Sequence, residues 1–277
     1  MPNVLLGDLH TYYEVHGDGE ALLLVPPSFW PCDTWKLLVV PALSQRYRTI
    51  IFDPRGTGRS GKPDNGYTVG QFAQDCLALL GELGVSRCHV VGFALGGQVS
   101  QAMAIDQPDI VATLTMAAAG PGTRTLTGGR RSLAPETERQ IRESGFERYI
   151  RSYPDNDTMA FNSNFYRDHH DIVAALSDAL WAGQSTPEQF SRHEEARLTW
   201  DTLAQAAQVK VPTLVVCGED DDINRRGSTP VDTARRLGAS IPGAELALIP
   251  GVKHMTFWDG GGALAAVREF LGRYSFT

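Results

Sequence analysis

The sequence has few cysteines, no long apolar run and no excess of positive charge. Its four cysteines lie far apart among 277 residues, without the spacing of a zinc site or of a disulfide framework. No apolar run approaches the length that spans a membrane. The formal net charge of -7 argues against binding to nucleic acid or to an anionic membrane. We therefore expect no metal site, no nucleic-acid partner and no membrane partner.

The first residues also lack a basic segment followed by a long apolar stretch, which is what a secretory signal peptide requires. We therefore expect a cytoplasmic protein. The composition, with 42 % hydrophobic and 21 % charged residues, is ordinary for a globular chain. A chain of this length suits one large α/β domain with an insertion better than two independent domains.

Strand and helix patterns alternate at both ends of the chain. Short apolar runs at residues 21–25, 49–52 and 89–91 predict strands that are covered on both faces. Residues 69–83 carry apolar side chains at helical spacing, and a glycine follows them. This alternation predicts a mostly parallel sheet with helices on both of its faces.

The pattern changes in the middle of the chain. Three helices are predicted there without a strand between them, at residues 135–153, 168–181 and 187–200. Strand and helix patterns then resume at residue 213. We therefore predict an α/β core formed by residues 1–120 and 208–277, and a helical cap formed by residues 121–207.

A glycine-rich turn follows the strand predicted at residues 89–91. Residues 92–96 read Gly-Phe-Ala-Leu-Gly, and a helix pattern begins directly after them. A strand that turns this sharply into a helix presents its central residue at the tip, and the two glycines avoid clashes with the neighbouring strand and helix. Ser, Asp or Cys normally stands at this centre as a nucleophile. Here the central residue is Ala94.

An acidic loop and a histidine follow later strands, in the order that such a turn requires of its partners. Asp221 is the candidate acid, after the strand predicted at residues 213–217, and Asp220 and Asp222 are the alternatives. His254 lies between the last predicted strand and the final helix. A carboxylate can hold a histidine in one tautomer and stabilise its protonated form, while the histidine takes a proton from a nucleophile.

These motifs resemble those of the α/β-hydrolase superfamily over essentially the whole chain. The turn Asp-Pro-Arg-Gly-Thr-Gly-Arg-Ser at residues 53–60 also matches, and we expect Asp53 to bind backbone donors there. The resemblance implies an eight-stranded, mostly parallel sheet flanked by helices, with a helical lid inserted after strand 6. The N-terminal hairpin and the Thr-Pro-Glu sequence at residues 186–188 are similar to those of enol-lactone hydrolases and related carboxylesterases.

The oxyanion loop departs from the usual His-Gly-x sequence of this superfamily. Residues 25–30 read Val-Pro-Pro-Ser-Phe-Trp. Counting back from Trp35 aligns Ser28 with the residue whose backbone N–H stabilises the oxyanion, and Phe29 is the alternative donor. Leu95, the residue after the centre of the turn, would supply the second N–H. The resemblance thus implies an oxyanion hole formed by Ser28 and Leu95.

The methyl group of Ala94 can neither attack a carbonyl carbon nor transfer a proton. Three explanations are open. The first is an engineered Ser→Ala change, and the second is a natural loss of chemistry that leaves a ligand receptor or scaffold. The third is a reaction that His254 and Asp221 carry out alone, as a lyase or a cofactor-free oxygenase. Because the acid, the base and both oxyanion donors are retained, the first explanation is favoured.

The favoured hypothesis is a serine hydrolase of a carboxylic ester or lactone that uses a Ser-His-Asp triad and no cofactor. In this chain it would be inactive, because Ala94 replaces the nucleophile, and a C–C bond hydrolase is an alternative. An apolar or aromatic small molecule is the expected substrate, and a monomer or homodimer the expected state. The aromatic residues predicted to line the substrate pocket are Phe29, Trp30, Phe93, Trp181 and Phe257.

Overall fold

One sheet of eight strands organises the part of the chain that the computed structural model describes, which is residues 3–122, 135–155, 160–183, 186–222 and 228–276. The strands are β1 (Asn3–Leu6), β2 (Leu9–His16), β3 (Glu20–Val25), β4 (Tyr47–Phe52), β5 (Cys88–Phe93), β6 (Val111–Ala117), β7 (Thr213–Gly218) and β8 (Glu245–Ile249). Their spatial order is β1-β2-β4-β3-β5-β6-β7-β8. The eight-stranded α/β fold predicted from the sequence is confirmed.

The sheet is parallel except at one edge. Strand β2 pairs antiparallel with β1 and with β4, and every other pair in the sheet is parallel. The central strands β5, β6 and β7 are buried along their whole length. Burial on both faces explains why their sequences are continuous apolar runs rather than alternating patterns. The edge strand β8 is partly exposed.

The described residues also contain eleven α-helices. They are α1 (Val39–Leu43), α2 (Val69–Glu82), α3 (Leu95–Asp106), α4 (Pro135–Ser144), α5 (Phe146–Asp155), α6 (Ser163–Asp168), α7 (His170–Ala182), α8 (Pro187–Ala196), α9 (Thr202–Gln205), α10 (Pro230–Ser240) and α11 (Gly262–Gly272). Helices α4 to α9, which we call the cap helices, all lie between β6 and β7. This is where the sequence predicts the helical insertion.

Local chemistry sets the ends of the cap helices. Thr186 begins α8 because its hydroxyl accepts a hydrogen bond from the N–H of Gln189, and Pro187 occupies the first turn. The helix predicted at residues 135–153 is instead two helices. Gly145 separates them, with a φ of 81° in the left-handed region that favours glycine and ends a helix.

In the turn at residues 53–60, Asp53 binds backbone donors, as expected from the sequence. Its buried carboxylate accepts hydrogen bonds from the backbone N–H of Cys32, at 2.7 Å, and of Arg59, at 2.9 Å.

All four cysteines are buried free thiols. In the described ranges, every helix is too short or too polar to cross a membrane.

Candidate active site

The turn between β5 and α3 has the strained backbone of a nucleophile elbow. Ala94 has a φ of 50° and a ψ of -111°, a conformation that alanine rarely adopts. A Cβ on Gly92 would lie 2.2 Å from the carbonyl oxygen of Gly96, and a Cβ on Gly96 would lie 2.0 Å from that of Val25. The spacing of the two glycines is therefore a steric requirement, and the elbow is kept although its central side chain is a methyl group.

The structure brings one acid of the β7 loop to His254. Asp221 Oδ2 lies 2.8 Å from His254 Nδ1. Asp221 is completely buried and His254 is 7 % exposed, whereas Asp220 and Asp222 are exposed to solvent. A hydrogen bond shielded from water in this way fixes the orientation of the histidine ring. Of these three aspartates, Asp221 is the one that is buried and in contact with His254.

The other surroundings of the Asp221 carboxylate are sparse. The thiol of Cys217 lies 3.8 Å from Oδ2. Burial, and then the charge of Asp221, raise the pKa of this thiol, so that it remains protonated and can donate a weak hydrogen bond. Among the described residues, Oδ1 has no hydrogen-bond partner. His254 is therefore the closest polar partner of this buried carboxylate in that part of the chain.

The bond to Asp221 also determines which ring nitrogen of His254 is basic. An ionised carboxylate only accepts hydrogen bonds, so Nδ1 carries the proton and Nε2 carries the lone pair. Nε2 has no hydrogen-bond partner among the residues that the structure describes. His254 and Ala94 line the same pocket. The free lone pair can take a proton from a hydroxyl group, a water molecule or a substrate.

Two backbone N–H groups of the pocket are available to a ligand. Ser28 and Leu95 both line it, and neither N–H donates to a protein acceptor within the described ranges. The N–H of Phe29 instead donates to Nδ1 of His193, at 3.1 Å. The N–H of Phe29 is thus engaged by the protein itself, whereas that of Ser28 is open to a ligand.

The pocket above the elbow is small, with a volume of about 70 Å³. Phe29, Trp30 and Phe93, which the sequence predicts as pocket residues, all line it. Most of its wall is apolar, as is usual for a small-molecule site. The charged exception is an ion pair of Glu194 and Arg197, with 2.8 Å between carboxylate and guanidinium and each side chain 18 % exposed.

The pocket does not reach two residues that the sequence predicts as part of it. Phe257 is fully buried, with its ring centroid 5.8 Å from that of Trp35 and 6.0 Å from that of Phe93. Trp181 lies on α7, where the guanidinium of Arg151 covers its ring at 5.8 Å. Neither residue lines this pocket: the ring of Phe257 packs in the core, and the ring of Trp181 packs against Arg151 within the cap helices.

Other residues around the pocket are not predicted from the sequence. Tyr153 lines it from α5, and His193 holds the oxyanion loop from α8. Asp259 is buried, and its Oδ2 accepts the N–H of Asn162 at 3.1 Å. A signal for His193 exists in the sequence. Phe190 lies three residues before it, and this helical spacing places both side chains on the buried face of α8.

A possible cation-binding group lies outside the pocket. Glu14, Cys32 and Asp33 bring oxygen and sulfur atoms within 4.8 Å of one another. Both carboxylates already pair with the amine of Lys36, and the Sγ of Cys32 accepts a hydrogen bond from Arg59. These atoms are thus engaged by cations of the chain itself, and none of the three residues lines the pocket.

Comparisons with known proteins agree with this geometry. The family model of the alpha/beta hydrolase fold matches residues 16–261. A protein of Azorhizobium caulinodans named "Putative carbamate hydrolase RutD" is 27 % identical over 254 residues, covering 92 % of this chain and 91 % of that protein.

Two solved structures share the fold. The enol-lactonase from Burkholderia xenovorans LB400 superposes with a TM-score of 0.79 at 21 % identity, covering 98 % of this chain and 100 % of that one. A hydrolase from Pseudomonas aeruginosa PA01 has a TM-score of 0.80 at 24 % identity, covering 98 % of each chain. The elbow, the sheet order and the family match lead to one conclusion: this chain belongs to the α/β-hydrolase fold family.

Proposed function

We propose that this chain carries the site of a serine hydrolase of carboxylic esters or lactones, in which alanine replaces the nucleophilic serine. The observation that carries the proposal is the hydrogen bond of 2.8 Å between His254 and the buried Asp221, beside an elbow that keeps a φ of 50° at Ala94. The relatives named as a carbamate hydrolase and an enol-lactonase support a hydrolase in general.

With serine at position 94, the reaction would proceed in two steps. His254 Nε2 would take the hydroxyl proton while the oxygen attacks the carbonyl carbon, and Asp221 would stabilise the imidazolium. The N–H groups of Ser28 and Leu95 would hold the negative oxygen, each worth about 3 kcal/mol in comparable sites. His254 would then pass its proton to the leaving oxygen, and water would hydrolyse the acyl-enzyme by the same route.

With alanine at position 94, only part of this reaction is possible. The pocket still binds a carbonyl compound and the two N–H groups still polarise it, but no covalent intermediate forms. In a comparable triad, loss of the serine alone lowers kcat by about a millionfold. We therefore propose that the chain binds its ester or lactone without appreciable turnover. A cytoplasmic location, a monomeric or homodimeric state and an apolar or aromatic substrate remain predictions.

The test is to restore the hydroxyl group. The Ala94→Ser variant should hydrolyse activated esters and lactones with an initial burst of released alcohol, and the panel should include carbamates and C–C substrates. The matched control is Ala94→Ser combined with His254→Ala, which should lack the burst. No turnover by Ala94→Ser across the whole panel, in a variant with unchanged melting temperature, would contradict the proposal.

A second candidate function rests on the unpartnered Nε2 of His254. Without a serine beside it, this nitrogen can act directly on a substrate proton or a water molecule, as in a lyase or a cofactor-free oxygenase. This candidate predicts turnover by the unchanged chain that His254→Ala abolishes. A receptor, by contrast, would bind one ligand tightly, with no turnover before or after the Ala94→Ser change.

A further inference from the structure

His193 connects the cap helices to the oxyanion loop. It lies on α8, is 1 % exposed, and packs against the rings of Tyr67 and Phe72, with centroid distances of 5.6 and 5.2 Å. Its Nδ1 lies 3.1 Å from the backbone nitrogen of Phe29, and its Nε2 lies 2.8 Å from the carbonyl oxygen of Arg55. One buried ring therefore contacts the backbone of two separate core loops.

These two contacts require a single tautomer of His193. A backbone N–H can only donate, so Nδ1 must carry the lone pair, and a carbonyl oxygen can only accept, so Nε2 must carry the proton. Burial lowers the pKa of this ring to about 4, which keeps the ring neutral near pH 7. The ring is thus a fixed acceptor for the oxyanion loop and a fixed donor to the turn at residues 53–60.

The hydrogen bond that His193 Nδ1 accepts comes from the N–H of Phe29, which is the residue next to Ser28, the proposed oxyanion donor. Phe29 has a φ of 55°, which is unfavourable for a bulky residue and requires outside support. The peptide planes that carry the Phe29 and Ser28 N–H groups meet at the Cα of Ser28, so fixing the first leaves only the φ and ψ of Ser28 to reorient the second. Two prolines precede Ser28 directly, and they donate no hydrogen bond of their own to the loop.

We propose that His193 is a positioning residue, whose Nδ1 holds the peptide of Phe29 so that the N–H of Ser28 stays in the oxyanion hole. The proposal rests on the hydrolase site proposed above for the role of Ser28. The cap helices would then not only cover the pocket but also complete its oxyanion hole through one hydrogen bond. The alternative is that His193 acts only as a strut between α8 and the carbonyl group of Arg55.

Two amide substitutions separate these roles, because each replaces one ring nitrogen. In His193→Asn, the side-chain oxygen can take the place of Nδ1 and accept the N–H of Phe29. In His193→Gln, the longer side chain can place its NH₂ group where Nε2 donates to Arg55. A positioning role predicts rescue by asparagine and not by glutamine, and a strut predicts the reverse.

The first measurements use the chain with Ala94 and need no turnover. They are amide hydrogen exchange of Phe29 and binding of phenylphosphonate, a tetrahedral anion, followed at the amides of Ser28 and Leu95 by NMR. We expect His193→Gln to accelerate exchange at Phe29 about 100-fold and to weaken phosphonate binding at least about tenfold, with His193→Asn within about threefold of the unchanged chain. The proposal would be overturned if His193→Gln kept slow exchange at Phe29 and tight phosphonate binding. It would also be overturned if His193→Asn lost them while His193→Gln did not.

A kinetic measurement in the Ala94→Ser background adds a second readout. His193→Gln should lower kcat by about 100-fold with less than a threefold change in KM, because the lost contact acts on the transition state. If Ala94→Ser hydrolyses nothing, the proposed function fails, while the exchange and phosphonate results still decide the role of His193.

A third variant covers the case in which an amide variant does not fold. His193→Phe keeps the packing against Tyr67 and Phe72 and removes both hydrogen bonds. It should show the same fast exchange at Phe29 and the same weakened phosphonate binding. Unchanged exchange and binding in this variant would overturn the proposal.

Discussion

The sheet side and the cap side of the pocket are held in different ways. On the sheet side, Ala94, Asp221 and His254 lie just after strands β5, β7 and β8, and the close approach of backbone atoms around Gly92 fixes the arrangement of the elbow. On the cap side, Tyr153 lies in α5 and Arg197 directly follows α8, and both line the pocket. We infer from this difference that nucleophilic attack and proton transfer take place on the sheet side, whereas the cap side sets the substrate choice and supports the oxyanion loop through His193.

The largest expected effect separates the two sides by kinetics. In the Ala94→Ser background, His254→Ala should lower kcat by about 10⁴- to 10⁶-fold, because the base is lost. Arg197→Met, on the cap side, should change KM by less than about tenfold and leave kcat within a few-fold, since an ion pair that solvent still reaches contributes little. Steady-state kinetics on one ester check both. A large loss of kcat in Arg197→Met would remove the proposed division.

The next largest effect concerns stability, and it compares a glycine-to-alanine substitution in the elbow with one in the cap helices. Gly92→Ala should lower the free energy of unfolding by about 3 kcal/mol or more, because its Cβ would meet the Gly96 carbonyl oxygen at 2.2 Å. Gly145→Ala, in the cap, meets no atom within 4 Å and should cost about 1–2 kcal/mol for its φ of 81° alone. Denaturant unfolding measures both, and equal losses would show that the elbow is not the tighter region.

The pH dependence of stability tests the residue that joins the two sides. Burial lowers the pKa of His193 to about 4, and the unfolded chain has the ordinary value near 6.5. Between these values the unfolded state binds a proton that the folded state excludes. The contribution of neutral His193 is therefore complete above pH 6.5 and falls by about 3 kcal/mol as the pH approaches 4.

His193→Phe is the matched variant for this measurement. Its free energy of unfolding should fall less steeply between pH 6.5 and 4, because the group that the unfolded state protonates is gone. Urea titrations at several pH values give both curves. Parallel curves for the two proteins would mean that folded His193 binds a proton as readily as the unfolded chain does.

The smallest effect concerns one end of a cap helix. Thr186→Ala removes the hydroxyl that accepts the N–H of Gln189 and should lower stability by about 1 kcal/mol. The loss should be confined to α8, where amide exchange should accelerate, while β5 keeps its protection. Acceleration in β5 as well would show that the cap and the sheet unfold together.

The sheet side could be predicted from the sequence because each of its parts is local. Its steric and chemical requirements are visible in the sequence as residue types at fixed places. They are glycines two residues on either side of Ala94, an acid after β7 and a histidine after β8. In a parallel sheet, the strand ends bring these loops together. The sequence already ranks Asp221 first among three aspartates, and the structure adds that Asp221 is buried while its two neighbours are exposed.

The cap side could not be predicted in the same way. The helices themselves follow from apolar spacing and from caps such as Thr186, but which face meets the pocket depends on packing between distant segments. Trp181 and Phe257 are aromatic, as expected of a substrate pocket, but they do not line this one. Tyr153 does line it, and nothing in the sequence distinguishes it from other tyrosines. His193 acts through a hydrogen bond to the backbone of Phe29, 164 residues away in the chain.

The most direct test of the central claim is covalent labelling of residue 94. A fluorophosphonate reacts with a serine only when a neighbouring base and an oxyanion hole activate it. The Ala94→Ser variant should bind one equivalent, located at position 94 by mass spectrometry, and the same variant with His254→Ala should bind none. The absence of label at residue 94 in a folded Ala94→Ser variant would contradict the claim that this site is a serine hydrolase lacking one oxygen atom.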